Sequence, residues 1–105
     1  MIDSSEWLPG IAQARSEREL VQIVRAYLAA WEPSEIQKLP PHCRVEIVST
    51  GLEISSAAVT LVQCELKGGM DEETAVTVRN MADVFVAAQQ RLRQLLGQRY
   101  DPASA

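Results

Sequence analysis

The sequence has a single histidine, two cysteines and one phenylalanine among its 105 residues. Two cysteines are too few for the disulfide frameworks that hold small secreted domains together. A structural zinc site usually takes four ligands in two close pairs, and only His42, Cys43 and the distant Cys64 offer nitrogen or sulfur. We therefore expect no metal or other cofactor, and we expect both thiols to be reduced.

Long apolar runs and targeting signals are also missing. No stretch approaches the ~20 apolar residues of a membrane helix, and MIDSSEWLPG at the start lacks the basic and apolar regions of a signal peptide. These absences favour a cytoplasmic protein without a membrane partner. The chain also has no P-loop, dinucleotide fingerprint, nucleophile elbow or metalloprotease motif, which favours a protein that is not an enzyme.

Basic residues are in the minority, with 10 Lys and Arg against 14 Asp and Glu and a net charge of −4. Because nucleic-acid backbones attract cations, this balance predicts no nucleic-acid partner. Arg91, Arg93 and Arg99 do gather near the C-terminus, where they can complement the negative end of a helix dipole. A nucleic-acid interface built from these arginines is the alternative, and the net charge argues against it.

What the chain has is helical periodicity. Hydrophobic residues make up 47% of it, enough for the core of one domain over residues 1–100, with a disordered tail at 101–105. Capping boxes at Ser16 and Thr50 predict helices over 16–31 and 51–67. Glycine predicts the ends of the last two helices, with Gly68-Gly69 closing the helix from 51 and Gly97 closing the helix that Asp71 begins.

The shorter segments complete the fold class. Residues 9–14 and 33–39 favour short helical turns, and Pro40-Pro41 ends the second. Residues 44–50 alternate apolar and charged as a strand does, but the sequence offers no second convincing strand. We interpret them as an extended linker, with an intermolecular strand pair as the alternative. The sequence thus predicts an all-α bundle of three to four helices, with an antiparallel last pair and an extended linker around 40–50.

His42 and Cys43 are the one adjacent pair with chemical potential. A metal site or a thiol nucleophile would need both side chains to converge on one point, and sequence neighbours usually diverge. The favoured interpretation is a proline-stiffened bend with Cys43 buried and His42 facing solvent. The alternative function is a small enzyme or metal-thiol protein that uses this pair with nearby carboxylates.

The last helix carries the clearest pattern in the chain. Its apolar residues follow a three-four alternation, typical of shallow-angle helix packing: Ala75, Val78, Ala82, Phe85, Leu92 and Leu96. The stripe either packs inside the chain or forms a dimer seam. The preceding helix is apolar on more than one face, which a monomer could not fully cover. We therefore expect a non-enzymatic interaction or regulatory module that forms a homodimer through the long C-terminal helix.

Overall fold

A computed structural model describes residues 2–99, without the side chains of residues 98 and 99. Its elements are helices and turns: α1 (Leu8–Gln13), α2 (Glu17–Ala30), α3 (Pro33–Gln37), α4 (Gly51–Lys67) and α5 (Glu72–Arg99), with 3-10 turns at Ser4–Glu6 and Pro41–Cys43. The predicted all-α class is confirmed. The predicted tail at 101–105 lies outside the described residues.

Capping side chains set where the helices begin. The Ser16 hydroxyl accepts the Glu19 amide at 3.1 Å, and the Thr50 hydroxyl accepts the Glu53 amide at 3.2 Å. Each glutamate then reaches back one residue beyond its cap, to the amide of Arg15 in the first case. The α2 and α4 starts were therefore predicted to within one residue, because the capping residues are local in sequence.

The last two helices form an antiparallel pair, as predicted. Gly68 and Gly69 turn the chain with positive φ values of 65° and 80°. Asp71 then caps α5, because its carboxylate accepts the Thr74 amide at 2.7 Å. Near the turn, Arg79 of α5 lies 3.3 Å from Glu65 of α4 in an exposed ion pair.

Two expectations about the C-terminal part of the chain were wrong. Gly97 does not end α5, since the helix continues through it to Arg99; a glycine within a helix lowers its stability without forcing it to stop. Arg91 does not complement the end of its own helix. Its Nε donates to the carbonyl of Ala14 at 2.8 Å, the C-cap residue that follows α1.

The core lies between α4, α5 and the N-terminal helices. Its largest fully buried side chains include Tyr27, Phe85, Ile11, Leu20, Leu39, Ile54, Leu61 and Met81. Trp7 and Trp31 both pack edge-on against Tyr27, with ring centroids 5.6 and 6.2 Å away. These contacts join the N-terminal segment to α2 through one aromatic cluster.

Candidate functional site

The backbone bend at His42 and Cys43 is held by hydrogen bonds that do not involve either cysteine sulfur. The Cys43 amide donates to the Pro40 carbonyl at 2.8 Å, which closes the 3-10 turn. The Arg44 guanidinium donates to the carbonyls of Leu39 and Gln37 at 3.0 and 2.8 Å. Prolines and arginine together therefore fix the turn against the end of α3.

This turn brings its cysteine to α4. Cys43 and Cys64 form a disulfide, with Cα atoms 6.0 Å apart, and both are buried. The expectation of two reduced thiols is therefore wrong for this structure. The pairing could not be predicted from the sequence, because the two cysteines are 21 positions apart and the proline turn just before Cys43 decides where that residue lies.

His42 joins the same cluster. One ring nitrogen of His42 and the sulfur atoms of Cys43 and Cys64 all lie within 4.8 Å of one another, although His42 is exposed, as expected. The expectation that neighbouring residues diverge does not hold here, because both side chains of the 3-10 turn reach toward α4. No aspartate or glutamate of the described chain belongs to this group.

The cluster does not support a thiol nucleophile. Cys43 has no exposed surface and its sulfur is bonded to Cys64, so no thiolate is free for a substrate to reach. Nucleophilic catalysis needs an accessible thiolate beside its base. The residues can hold a soft metal ion once the disulfide is opened, because thiolates and imidazole are the ligands that zinc prefers.

The apolar stripe of α5 lies inside the single chain. Val78, Ala82, Phe85 and Leu92 are at most 6% exposed, Ala75 is half-buried, and Leu96 is 38% exposed. The four buried side chains belong to the chain's own core. A second copy could not reach the four buried residues without opening the fold, so any dimer contact must use other side chains.

A second apolar stripe lies on the outer face of α4. Leu52, Val59 and Leu66 are spaced by seven residues and are 77%, 50% and 82% exposed. From Ile54 to Cys64 the helix has no charged residue. The heptad pattern of α5 was conspicuous in the sequence, whereas this stripe was signalled only by the apolar residues on more than one face of the helix.

The linker between the proline turn and α4 is extended. Among the described residues, the backbone groups of residues 45–48 have no hydrogen-bond partner and no strand pairs with them. Val48 is buried, whereas Ile47 is 73% exposed beside an apolar groove of about 290 Å³. The linker interpretation is confirmed within the chain.

Two of the three C-terminal arginines, Arg91 and Arg93, have side chains in the described part of the chain. The Nε of Arg91 donates a hydrogen bond to the Ala14 carbonyl, and its Nη1 donates to the Gln94 Oε1 at 2.9 Å. Arg93 is exposed. The side chain of Arg99 lies outside the described part.

None of the described helices is long and apolar enough to cross a membrane.

Comparisons with known proteins give no match: no family model, no curated protein and no solved structure is similar to this chain.

Proposed function

We propose that this protein is a non-enzymatic interaction module that acts as a homodimer, and that two copies meet through the outer face of α4. The observation that carries the proposal is the stripe of Leu52, Val59 and Leu66, which remains exposed after the chain has folded. Exposed apolar side chains in a regular row are typical of an interaction surface.

The charge distribution supports a second copy as the occupant. The centres of protein interfaces are depleted of charged residues, and α4 has none from Ile54 to Cys64. Because the chain carries a net charge of −4, two copies repel each other least where their contacting faces are uncharged. The middle of the outer face of α4, around Val59, meets this requirement, whereas Glu53, Glu65 and Lys67 stand next to the two ends of the stripe.

The stripe is also symmetric about its middle residue. In an antiparallel pair centred on Val59, Leu52 would face Leu66 of the partner subunit, and the two Val59 side chains would meet. Such a contact is isologous, since each copy uses the same surface. The contact is small, and small interfaces between proteins are typically weak. We therefore expect a dissociation constant on the order of tens of micromolar.

Sedimentation velocity or size-exclusion chromatography with light scattering tests this proposal. The wild-type mass should rise from one to two chains as the concentration passes through tens of micromolar. Leu66→Glu should remain monomeric, because it places a carboxylate in the stripe without touching the core. Ile47→Glu is the matched control: it changes an apolar side chain that is 73% exposed but lies outside α4.

Two outcomes contradict the proposal. A wild-type protein that stays monomeric at several hundred micromolar would exclude the dimer. If Ile47→Glu abolishes dimerisation and Leu66→Glu does not, the copies meet through the extended linker and the α4 face is the wrong surface.

We also propose the cytoplasm as the compartment of this module. The finding that bears on it is the lack, among the described helices, of one that could cross a membrane. In that compartment a disulfide meets cellular thiols, and cytosolic disulfides are more often redox-responsive than structural.

A further inference from the structure

The cluster of His42, Cys43 and Cys64 is a site that the proposed dimer does not use. Its three potential ligand atoms come from two elements, the 3-10 turn and α4, and lie within 4.8 Å of one another. In tetrahedral zinc sites with Zn–S bonds near 2.3 Å, the ligand atoms are about 3.5–3.8 Å apart. The three groups can bind one ion once the S–S bond opens and the two sulfur atoms move apart to this spacing.

We propose that the Cys43–Cys64 disulfide, once reduced, becomes a zinc site formed by both thiolates and the His42 imidazole, with the fourth position open to solvent. Two thiolates and an imidazole favour zinc over magnesium or calcium, which prefer oxygen ligands. Three protein ligands with an open fourth position distinguish this arrangement from the closed four-ligand structural sites.

The redox step is a thiol-disulfide exchange with a dithiol reductant. The dithiol supplies two electrons and two protons, the S–S bond breaks, and two thiols form while the reductant becomes a disulfide. Zinc binding then releases the two thiol protons, because both sulfurs bind as thiolates. The oxidised chain has no thiolate to offer, so the site exists only in the reduced protein.

The surrounding contacts keep the ligands together after reduction. The turn that carries His42 and Cys43 is closed by the hydrogen bond to Pro40 and anchored by the two bonds of Arg44, neither of which depends on the disulfide. Cys64 Sγ also lies 3.6 Å from the His42 carbonyl oxygen, an acceptor for the thiol that reduction creates. The site is therefore pre-organised, and little ordering is needed when the ion binds.

The burial of the three residues indicates the side from which an ion would enter the site. Cys43 is fully buried and Cys64 is 4% exposed, whereas His42 is exposed. The ion would enter from the side of the imidazole, and its open position would face solvent there. Zinc and the disulfide would thus be alternative crosslinks between the 3-10 turn and α4.

Cobalt titration of the reduced full-length chain under anaerobic conditions tests the site, since tetrahedral Co²⁺ bound by thiolates absorbs strongly. We expect one Co²⁺ per chain with a thiolate charge-transfer band, displaced by one equivalent of Zn²⁺. The oxidised chain should show no band. His42→Ala should weaken Co²⁺ binding by roughly tenfold or more, and Glu46→Gln, which changes a nearby exposed carboxylate, should leave it unchanged.

The cysteine variants separate loss of ligands from loss of fold. Cys64→Ser should abolish the charge-transfer band while far-ultraviolet circular dichroism still reports the helices. If a variant unfolds, protection of the wild-type thiols from alkylation by one equivalent of Zn²⁺ measures the same binding. The proposal is overturned if reduced wild-type protein binds no Co²⁺ through thiolate, or if His42→Ala binds it as tightly as wild type does.

Discussion

The Glu17 carboxylate accepts a hydrogen bond from the Gly51 amide at 2.8 Å, and so joins the first turn of α2 to the first turn of α4. The amides of a helix's first turn have no partner within the helix, and here a residue 34 positions earlier in the chain supplies one. Leu92 of α5 lies against the same glycine. Three helices therefore meet at a position where an added Cβ would have to displace the ends of the Glu17 and Leu92 side chains.

Gly51→Ala should destabilise the protein. A Cβ at this position would lie 2.8 Å from both the Glu17 carboxylate oxygen and a Leu92 methyl group, and overpacking of this kind costs about 1–3 kcal/mol. Urea denaturation followed by circular dichroism measures the change.

Gly10→Ala is the matched control for this glycine. Nothing lies within 4 Å of a Cβ added there, so the change should be neutral or should stabilise the protein by about 0.4–1 kcal/mol. Equal effects of the two substitutions would contradict the close packing at Gly51.

Phe85→Ala should lower the free energy of unfolding by about 3–5 kcal/mol, because the side chain is fully buried within one chain. Leu66→Ala, at a position 82% exposed, should change it by less than about 0.5 kcal/mol. Both are measured by urea denaturation at about 1 μM or below, where we expect monomer. A small effect of Phe85→Ala there would mean that this side chain is not in the core of the single chain.

The contrast between Phe85 and Leu66 shows which features of the fold can be predicted from the sequence and which cannot. Helix starts at Ser16 and Thr50 were predictable, because each cap and its partner lie three residues apart. The α5 stripe was recognisable by its period, but a period has the same form whether its partner is the same chain or a second copy. Only the packing of the other helices places Phe85 inside and leaves Leu66 outside.

The candidate metal site was less predictable, for a physical reason. In the sequence, Cys64 lies far from His42 and Cys43, and the spacing along the chain does not show that the three residues meet in the fold. In the fold, the Pro40-Pro41 turn directs His42 and Cys43 toward α4, and so brings them close to Cys64. The prolines could be recognised in the sequence, but the direction of the turn they make depends on tertiary packing.

Reduction of the disulfide should lower the free energy of unfolding by about 3 kcal/mol, since the bond closes a loop between residues 21 positions apart. Denaturation with and without a dithiol measures the loss. A variant carrying both Cys43→Ala and Cys64→Ala should no longer respond to the reductant. His42→Ala should leave the oxidised protein within about 0.5 kcal/mol of wild type, because among the described residues its exposed ring has no hydrogen bond to lose.

Two results would contradict this prediction. If the reductant leaves the wild-type stability unchanged, the crosslink does not constrain the unfolded chain. If the double alanine variant still responds to the reductant, the response does not come from this disulfide.

Alkaline pH should destabilise the protein through Tyr27. Burial raises the pKa of this phenol above its usual 10.0, and the hydrogen bond with Ser4 acts in the opposite direction. Because the folded pKa exceeds the unfolded pKa, the contribution to stability is complete below pH 10 and is lost as the pH rises through the folded value. Tyr27→Phe should remove this alkaline loss and should cost about 1 kcal/mol at neutral pH, where it deletes the 3.2 Å contact with the Ser4 hydroxyl.

Urea denaturation between about pH 7 and pH 11 compares the free energies of unfolding of the wild-type protein and Tyr27→Phe. Ser4 keeps its bond to the Asn80 carbonyl at 3.0 Å in the variant, so the neutral-pH loss should stay small. The wild-type and Tyr27→Phe stabilities should therefore converge above pH 10, as the wild-type protein loses a contribution that the variant never had. Parallel curves would show that another group carries the alkaline transition and that the buried phenol is not titrated on unfolding.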